Sequence, residues 1–405
     1  FRSVPLEGVA WLNSPAALAH PFPDGAVALL ERDLGETERR LGGDGPTYRR
    51  LVEPFVRRWD DLAPMILDPL AWPTHPVLMA RFGLQALRSA THVAARFRTR
   101  EARGLFAGIA AHAMVPLEAP ATASFGLVLA TAAHAVGWPL ARGGSQRLAD
   151  ALVAHLVSLG GAVETGHHVR SLHELPSARA YLLSVPPRVL VELAGERLPR
   201  RYTDALLRFR HGPGSFKMDF ALDGPIPWRN PECLRAATVH LGGPFEDIAR
   251  AERAVHDGNV PAPPFVLLVQ PSVADTSRAP EGHHVVWAYC HVPHGSGAPM
   301  EGAIVEQIER FAPGFRDRIL SQSALSPEGL EAYNPSYLGG DINGGAADLR
   351  QLFTRPVASL DPYATPARDL FLCSSSTPPG GGVHGMCGML AARSALRKVF
   401  GLAQP

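Results

Sequence analysis

The sequence predicts a mixed α/β fold in which two domains interleave along the chain, and three observations carry that expectation. Near the C-terminus, DLFLCSSST (369–377), PPGGGVHGM (378–386) and CGMLAARSALRKVF (387–400) pass from strand formers through a proline and glycine loop into helix formers. From Glu31 to about Val136 apolar residues recur at helical spacing, as in Leu51, Phe55, Trp59 and Leu62. Between residues 201 and 335 the apolar runs become short, β-branched and aromatic, bounded by Gly, Pro and Asp. At 405 residues the chain exceeds one ordinary domain, so two domains are the natural expectation.

Taken in order, Val9 to Leu30 alternates apolar stretches around the turns Asn13-Ser14-Pro15 and Pro23-Asp24-Gly25 and reads as strands of a meander. Prolines divide the 31–136 stretch into several helices. Gly104 to Ala141 carries Glu118 as its one charge before Arg142, yet Pro116 and Pro120 cut it below the ~20 apolar residues that a spanning helix needs. Gly143 and Gly144 then lead into a helix with Ser145 as its N-cap and Leu148, Leu152, Leu156 and Leu159 along one face, ended by Gly160-Gly161. Strands are expected over Ala162–Thr165, His168–Leu172 and Ala180–Val185, the last stopped by Pro186-Pro187. Further strands are expected over Ser215–Leu222, Ala237–Leu241, Phe265–Gln270 and His284–Val292, followed by a helix over Glu301–Phe311.

Composition narrows the function classes. Hydrophobic residues make up 46% and charged residues 19%, as in globular proteins. A net charge of +1 argues against nucleic acid as a partner, because binding phosphates needs a concentrated basic face. The four cysteines, Cys233, Cys290, Cys373 and Cys387, show no C-x-x-C pairing and suit reduced, cytosolic thiols. No metal site is expected. The pairs His167-His168 and His283-His284 would point to opposite faces of a strand, and His291-x-x-His294 has no Cys or carboxylate to complete a ligand set. The absence of a G-x-S-x-G elbow argues against a serine hydrolase.

The most informative segment is the last loop. Gly380, Gly381 and Gly382 remove every Cβ where the chain turns, and the following helix offers unpaired N–H groups from about Gly385 onward. Such an end carries partial positive charge and suits an anion or an electron-rich ring edge; a structural loop that merely caps a helix is the plain alternative. Gly380, Gly382 and Gly385 also match G-x-G-x-x-G, but an opening dinucleotide turn needs a second strand with an acidic residue about 20 residues on. Only a helix and the tail Gly401 to Pro405 follow here, so the loop closes such a domain instead of opening it.

PPGGGVHGM, together with ARGGSQRLADALVAHLVSLGGAVETGHHVRSL (141–172), RHGPGSFKMDFALDGPIPW (210–228) and YNPSYLGGDINGG (333–345), resembles the phytoene desaturase and flavoprotein amine oxidase superfamily. The likeness is greatest to phytoene dehydrogenase-related proteins of the pyridine nucleotide-disulfide oxidoreductase domain type. It implies an FAD-binding Rossmann-like domain interleaved with a substrate domain of mixed sheet and helices. Residues 1–30 would link the two, 31–136 would be the helical part of the substrate domain and 201–338 its sheet. Residues 137–200 and 339–405 would be the middle and C-terminal segments of the FAD-binding domain. The family's N-terminal G-x-G-x-x-G module has no counterpart, which sets the expectation of a truncation by roughly one βαβ unit, about 30 residues or more, and of a chain inactive as it stands.

The resemblance also implies site residues. Gly380, Gly381, Gly382, Val383, His384, Gly385 and Met386 would lie over the flavin ring, and Gly143 and Gly144 would border it. Val169 would meet the adenine side through its backbone, an ordinary strand valine being the plain alternative. Asp341, within GGDINGG, would stand beside the flavin, an Asx turn being the alternative. The implied activity is hydride transfer from a C–H bond of an apolar, isoprenoid or lipid substrate to flavin N5. An extended pocket would be shaped by the apolar helices between Gly104 and Val136 together with the β region. Oxygen, a quinone or NAD(P) would accept the electrons. A cytoplasmic location with peripheral membrane contact suits such a substrate. An amine-oxidase activity, or a catalytically silent lipid- or partner-binding protein with the same fold, stays open, and no residue is assigned as catalytic.

Overall fold

Strand-forming segments from both ends of the first 325 residues meet in one sheet. A computed structural model describes residues 4–402; the extremities of the 1–30 and 339–405 segments, residues 1–3 and 403–405, lie outside the described residues. The strands are β1 (Trp11–Leu12), β2 (Ala16–Pro21), β3 (Val27–Glu31), β4 (Leu140–Ala141), β5 (Tyr181–Leu183), β6 (Gly214–Leu222), β7 (Ala236–Leu241), β8 (Val266–Val269), β9 (His284–Val292), β10 (Ile319–Leu325) and β11 (Leu370–Leu372). The large sheet has the order β10-β6-β9-β8-β7-β2-β3 and is antiparallel except where β2 runs beside β7, Ala16 opposite Ala236.

The pleat sorts side chains between two cores. On β6, Phe216, Met218, Phe220 and Leu222 are buried on one face with Val286, Ala288 and Cys290 of β9, against Ile304, Ile308 and Phe311 of the helix Glu301–Phe311. Each such Phe, Leu or Ile contributes about 2 kcal/mol on burial. The opposite face is covered by helices Gly45–Val56, Arg100–Ala110, Thr122–Ala135 and Phe245–His256, whose alanines and phenylalanines join Leu18, Leu30 and Leu267 in a second core. Helices thus cover both faces. The segment Gly104 to Val136 is interior: helices Arg100–Ala110 and Thr122–Ala135 are largely buried. Among the described residues no helix is long and apolar enough to cross a membrane.

The expected strands at Ser215, Ala237, Phe265 and His284 and the helix at Glu301 appear within a residue or so. β10 and the helices Arg200–Leu207, Phe245–His256 and Pro327–Tyr333 were not anticipated. β10 (ILSQSAL) is an edge strand with exposed side chains, so no apolar alternation marks it.

A second layered unit is smaller. β5 and β11 pair in parallel, Tyr181 opposite Leu370 and Leu183 opposite Leu372. Leu190, Leu198, Leu206, Leu370 and Leu372 form their own core, with the helices Pro187–Ala194, Arg200–Leu207 and Met386–Phe400 around the pair. The strands expected over 162–165 and 168–172 are absent: residues 161–171 form irregular, mostly exposed chain with no ladder partner. Val169 is therefore not a strand residue. The leucine face of helix Gln146–Ser158 is likewise not a buried one; Ala151 is its only buried residue, and Leu152 and Leu156 are 37% and 45% exposed.

Candidate cofactor site between two glycine loops

The C-terminal loop forms as its residues dictate. β11 delivers the chain into Pro378-Pro379, and the helix Met386–Phe400 starts after Gly385, whose φ of 67° lies in the left-handed region. No side chain of Gly385 can cap that helix, so the ring of His384 does: its Nδ1 accepts from the Met386 N–H at 3.0 Å. Burial pulls the pKa of His384 down, which keeps this nitrogen free to accept. Behind the turn, the Cys387 thiol lies 3.6 Å from the Thr377 carbonyl and 3.5 Å from that of Gly380. Gly381, Gly382 and Val383 are exposed, Val383 at 82%.

Facing this loop is GGDINGG. Asp341 is 1% exposed, and its carboxylate accepts from four backbone amides: Gly212 at 2.8 Å, Gly345 at 2.7 Å, Asn343 at 2.9 Å and Gly344 at 3.1 Å. His211 Nδ1 stands 3.4 Å away. Burial alone would raise the carboxyl's pKa, but the adjacent His211 ring and the hydrogen bonds from the amides outweigh it, so the group is held below the usual value. Asp341 thus folds the loop from inside. It is neither a surface Asx turn nor a group with a free oxygen to offer a ligand.

The two loops touch through bare backbone. A Cβ on Gly381 would come 2.9 Å from the Asn343 carbonyl oxygen, and one on Gly344 would collide with the Ser375 hydroxyl. Arg355, 4% exposed, braces both: its Nη2 donates to the Gly344 carbonyl at 3.1 Å, and a Cβ on Gly380 would come 2.5 Å from Nη1. On the other side, Asn343 Nδ2 donates to the Met114 sulfur at 2.9 Å, which ties the loop to the end of helix Arg100–Ala110. Sequence reasoning missed Arg355, Met114 and His211. A lone arginine or methionine has no periodic signature, and only their tertiary position marks them.

Gly143 and Gly144 meet other partners. The Gly143 N–H donates to Asp275 at 2.7 Å, and the space over Gly144 is filled by the Arg278 guanidinium. This glycine pair packs against the turn 271–278, while Gly380–Met386 packs against 341–345. Ser145 stands at the N-cap of the next helix, but its hydroxyl makes no capping bond. Val169 is half-buried in irregular chain.

A cavity of about 600 Å³ lies beside the C-terminal loop, lined by Met386, Met389 and Arg393 and by Trp59, Met65 and Trp72. Its walls come mainly from the helix Trp59–Leu67 and the turn after it; of the 104–136 segment expected to shape a pocket, Val136 lines it. Among the described residues no group of three or more His, Cys, Asp or Glu could hold a metal ion. His291 and His294 have separate partners, the Glu252 carboxylate at 2.7 Å and the Gly212 carbonyl at 3.0 Å.

This arrangement, a large sheet covered on both faces beside a small parallel pair that carries a glycine loop, is similar in fold to solved oxidoreductase structures. Solved structures of an oxidoreductase from Methanosarcina mazei and of putrescine oxidase with bound putrescine each match 96% of the chain and 82% of their own. Their TM-scores are 0.57 and 0.56, at 15% and 13% identity. In sequence the chain is 28% identical over 300 residues to the rat pyridine nucleotide-disulfide oxidoreductase domain-containing protein 2. That match covers 64% of this chain and 51% of the relative. It is 26% identical over 262 residues to a neurosporene-forming phytoene desaturase of Cereibacter sphaeroides, covering 61% of this chain and 48% of that one. The chain spans about half the length of the curated relatives it matches. No protein-family model matches it. The resemblance to phytoene desaturases and amine oxidases thus stands in sequence for the first and in fold for the second.

Proposed function

We propose that the protein is an FAD-dependent oxidoreductase that takes a hydride from a C–H bond of an apolar, isoprenoid or lipid-like substrate. The observation that carries this reading is the meeting of two glycine-rich loops, 341–345 and 380–385, fixed from within by Asp341 and Arg355. Its outward glycines, Gly381 and Gly382, offer backbone in place of side chains.

A flat, electron-rich ring suits such a place. Bare backbone lets a ring approach closely, and the helix Met386–Phe400 brings its partial positive end to the same turn. A bound flavin would supply the hydride acceptor, and it would gather negative charge that this helix end favours. The protein's own part is to position and to exclude water, so the lack of an assigned acid or base does not count against the reading. Gly143, Gly144 and Val169 keep their proposed contacts through the same resemblance, although their present neighbours are Asp275 and Arg278 or exposed chain. The cavity at Met386 and Trp72 is lined mostly by apolar side chains, with Asp60 in its wall and Arg393 paired to Asp68 at 3.6 Å, and this supports a substrate with little net charge.

Titration of the protein with FAD and with riboflavin, which carries the ring without the adenine nucleotide, tests the reading by absorbance and calorimetry. Saturable binding of the ring is expected. Gly381→Val, which drives a side chain into Asn343, should weaken it at least tenfold. Failure of both molecules to bind would remove the assignment.

A further inference from the structure

The face of the large sheet beneath helices Arg100–Ala110 and Phe245–His256 contains a feature that the loops do not explain. β2, β7 and β9 place His20, His240, Tyr289 and His291 on it, and the covering layer adds His112 and Glu252. His20 and His240 are fully buried, and His291 and Glu252 are each 2% exposed. Polar groups in such a core are costly unless partnered. The partners form an ordered set. His20 Nε2 is 2.7 Å from the Gly243 carbonyl, His112 Nε2 is 3.2 Å from His240 Nε2, and His291 Nδ1 is 2.7 Å from Glu252 Oε1. His20 Nδ1, His240 Nδ1, His291 Nε2 and Glu252 Oε2 have no protein partner.

The helix above is cut to fit. A Cβ on Gly104 would come 2.9 Å from His20 Nε2, and one on Gly108 would come 2.8 Å from His240 Nδ1 and 3.1 Å from His20 Nδ1. Glycine inside a helix is disfavoured relative to alanine, so this helix gives up intrinsic stability to house the imidazoles. A carbonyl only accepts, so His20 donates through Nε2 and leaves Nδ1 bare. Burial lowers the pKa of His20 and of His112 to about 4 and holds that of His240 well below its usual value, so all three rings are neutral near pH 7.

The cluster has one reachable side. His112 and Tyr289 are half-buried, while the other members are sealed. Two residues past His112 stands Met114, the residue that holds Asn343 of the glycine loop. The reachable imidazole therefore sits at the junction between the large sheet and the candidate cofactor site.

We propose that this cluster is a binding subsite for the neutral, oxygen-bearing end of an otherwise apolar substrate, an alcohol or a carbonyl, with His112 as the contacting residue and His240 and His20 positioning it. Neutral imidazoles both donate and accept, as a hydroxyl or carbonyl requires. A carboxylate would find no cation among these neutral imidazoles, and an ammonium would find no carboxylate at the reachable end, because Glu252 is sealed and held by His291. The proposal rests on the oxidoreductase reading and narrows its substrate class.

The test uses the whole protein and two probes in the same detergent, a C20 isoprenoid alcohol and the matching hydrocarbon, with binding followed by tryptophan fluorescence and calorimetry. The alcohol should bind about tenfold more tightly. His112→Leu should erase that preference and leave hydrocarbon binding unchanged, and His112→Gln, which keeps a donor and an acceptor, should restore part of it. Gly108→Ala, which removes no polar group but presses on His240, should also reduce the preference, and it guards against a His112 variant that does not fold. Equal affinity of the wild type for the two probes, or a preference that survives His112→Leu, overturns the proposal. Riboflavin binding is measured on the same samples. Its loss with the alcohol preference intact sinks the flavin reading alone, and the reverse result sinks this subsite alone.

Discussion

The two glycine-rich segments expected beside one cofactor differ in what holds them. At 339–345 the chain is organised around a buried carboxylate, an arginine and a facing loop. At 143–172 it is organised by little beyond a bond to Asp275; the helix that follows buries only Ala151, and residues 161–171 lie open. Both segments open on a glycine pair. A glycine pair therefore becomes a defined site only where a buried polar group claims the freed amides, and Asp341 is the group that does so.

The largest expected effect follows from that group. Asp341→Ala leaves four amides without their acceptor and should lower stability by about 4 kcal/mol, measured by urea unfolding. An unchanged midpoint would erase the contrast. Asp341→Asn sharpens it through pH. Because the carboxyl's folded-state pKa is depressed, its contribution is fully present above the unfolded value of about 4 and is lost as pH falls through the folded value. The stability gap between wild type and Asp341→Asn should therefore stay constant from pH 7 to about pH 5 and close below pH 4. A gap that persists at pH 2 would show that ionisation is not its source.

Gly345→Ala should come next, at about 2–3 kcal/mol, since φ is 130° and the added methyl meets the Phe209 ring within a buried loop. Gly144→Ala, at φ 105°, meets only the movable end of Arg278 and should cost about 1 kcal/mol. Equal costs at the two positions would mean that the segments are held alike. The smallest effect is expected for Leu156→Ala on the exposed helix face, within about 0.5 kcal/mol by thermal unfolding. A loss of 2 kcal/mol or more there would show that the face is covered in solution.

The sequence disclosed much of this fold where local chemistry decides it. The helix at Glu301, the β-branched strands and the strand, loop and helix at the C-terminus were legible because period and turn residues agree with the tertiary outcome. Strands were expected over 162–165 and 168–172, but a strand exists only with a ladder partner, which no local pattern supplies. The candidate site was legible as glycines and one aspartate. The direction of the Asp341 side chain was not, since an outward Asx turn and an inward scaffold have the same residues. The buried histidines were scattered at positions 20, 112, 240 and 291, and only strand register and helix packing gathered them.

The single parallel pairing in the large sheet, β2 beside β7, joins positions roughly two hundred residues apart. At translation rates of about 5–20 residues per second, β2 leaves the ribosome ten seconds or more before its neighbour exists. The hairpin of β2 and β3 must wait through that interval with the β2 edge unpaired, so nascent chains are most exposed to aggregation, and most in need of a chaperone, before the second half has been made.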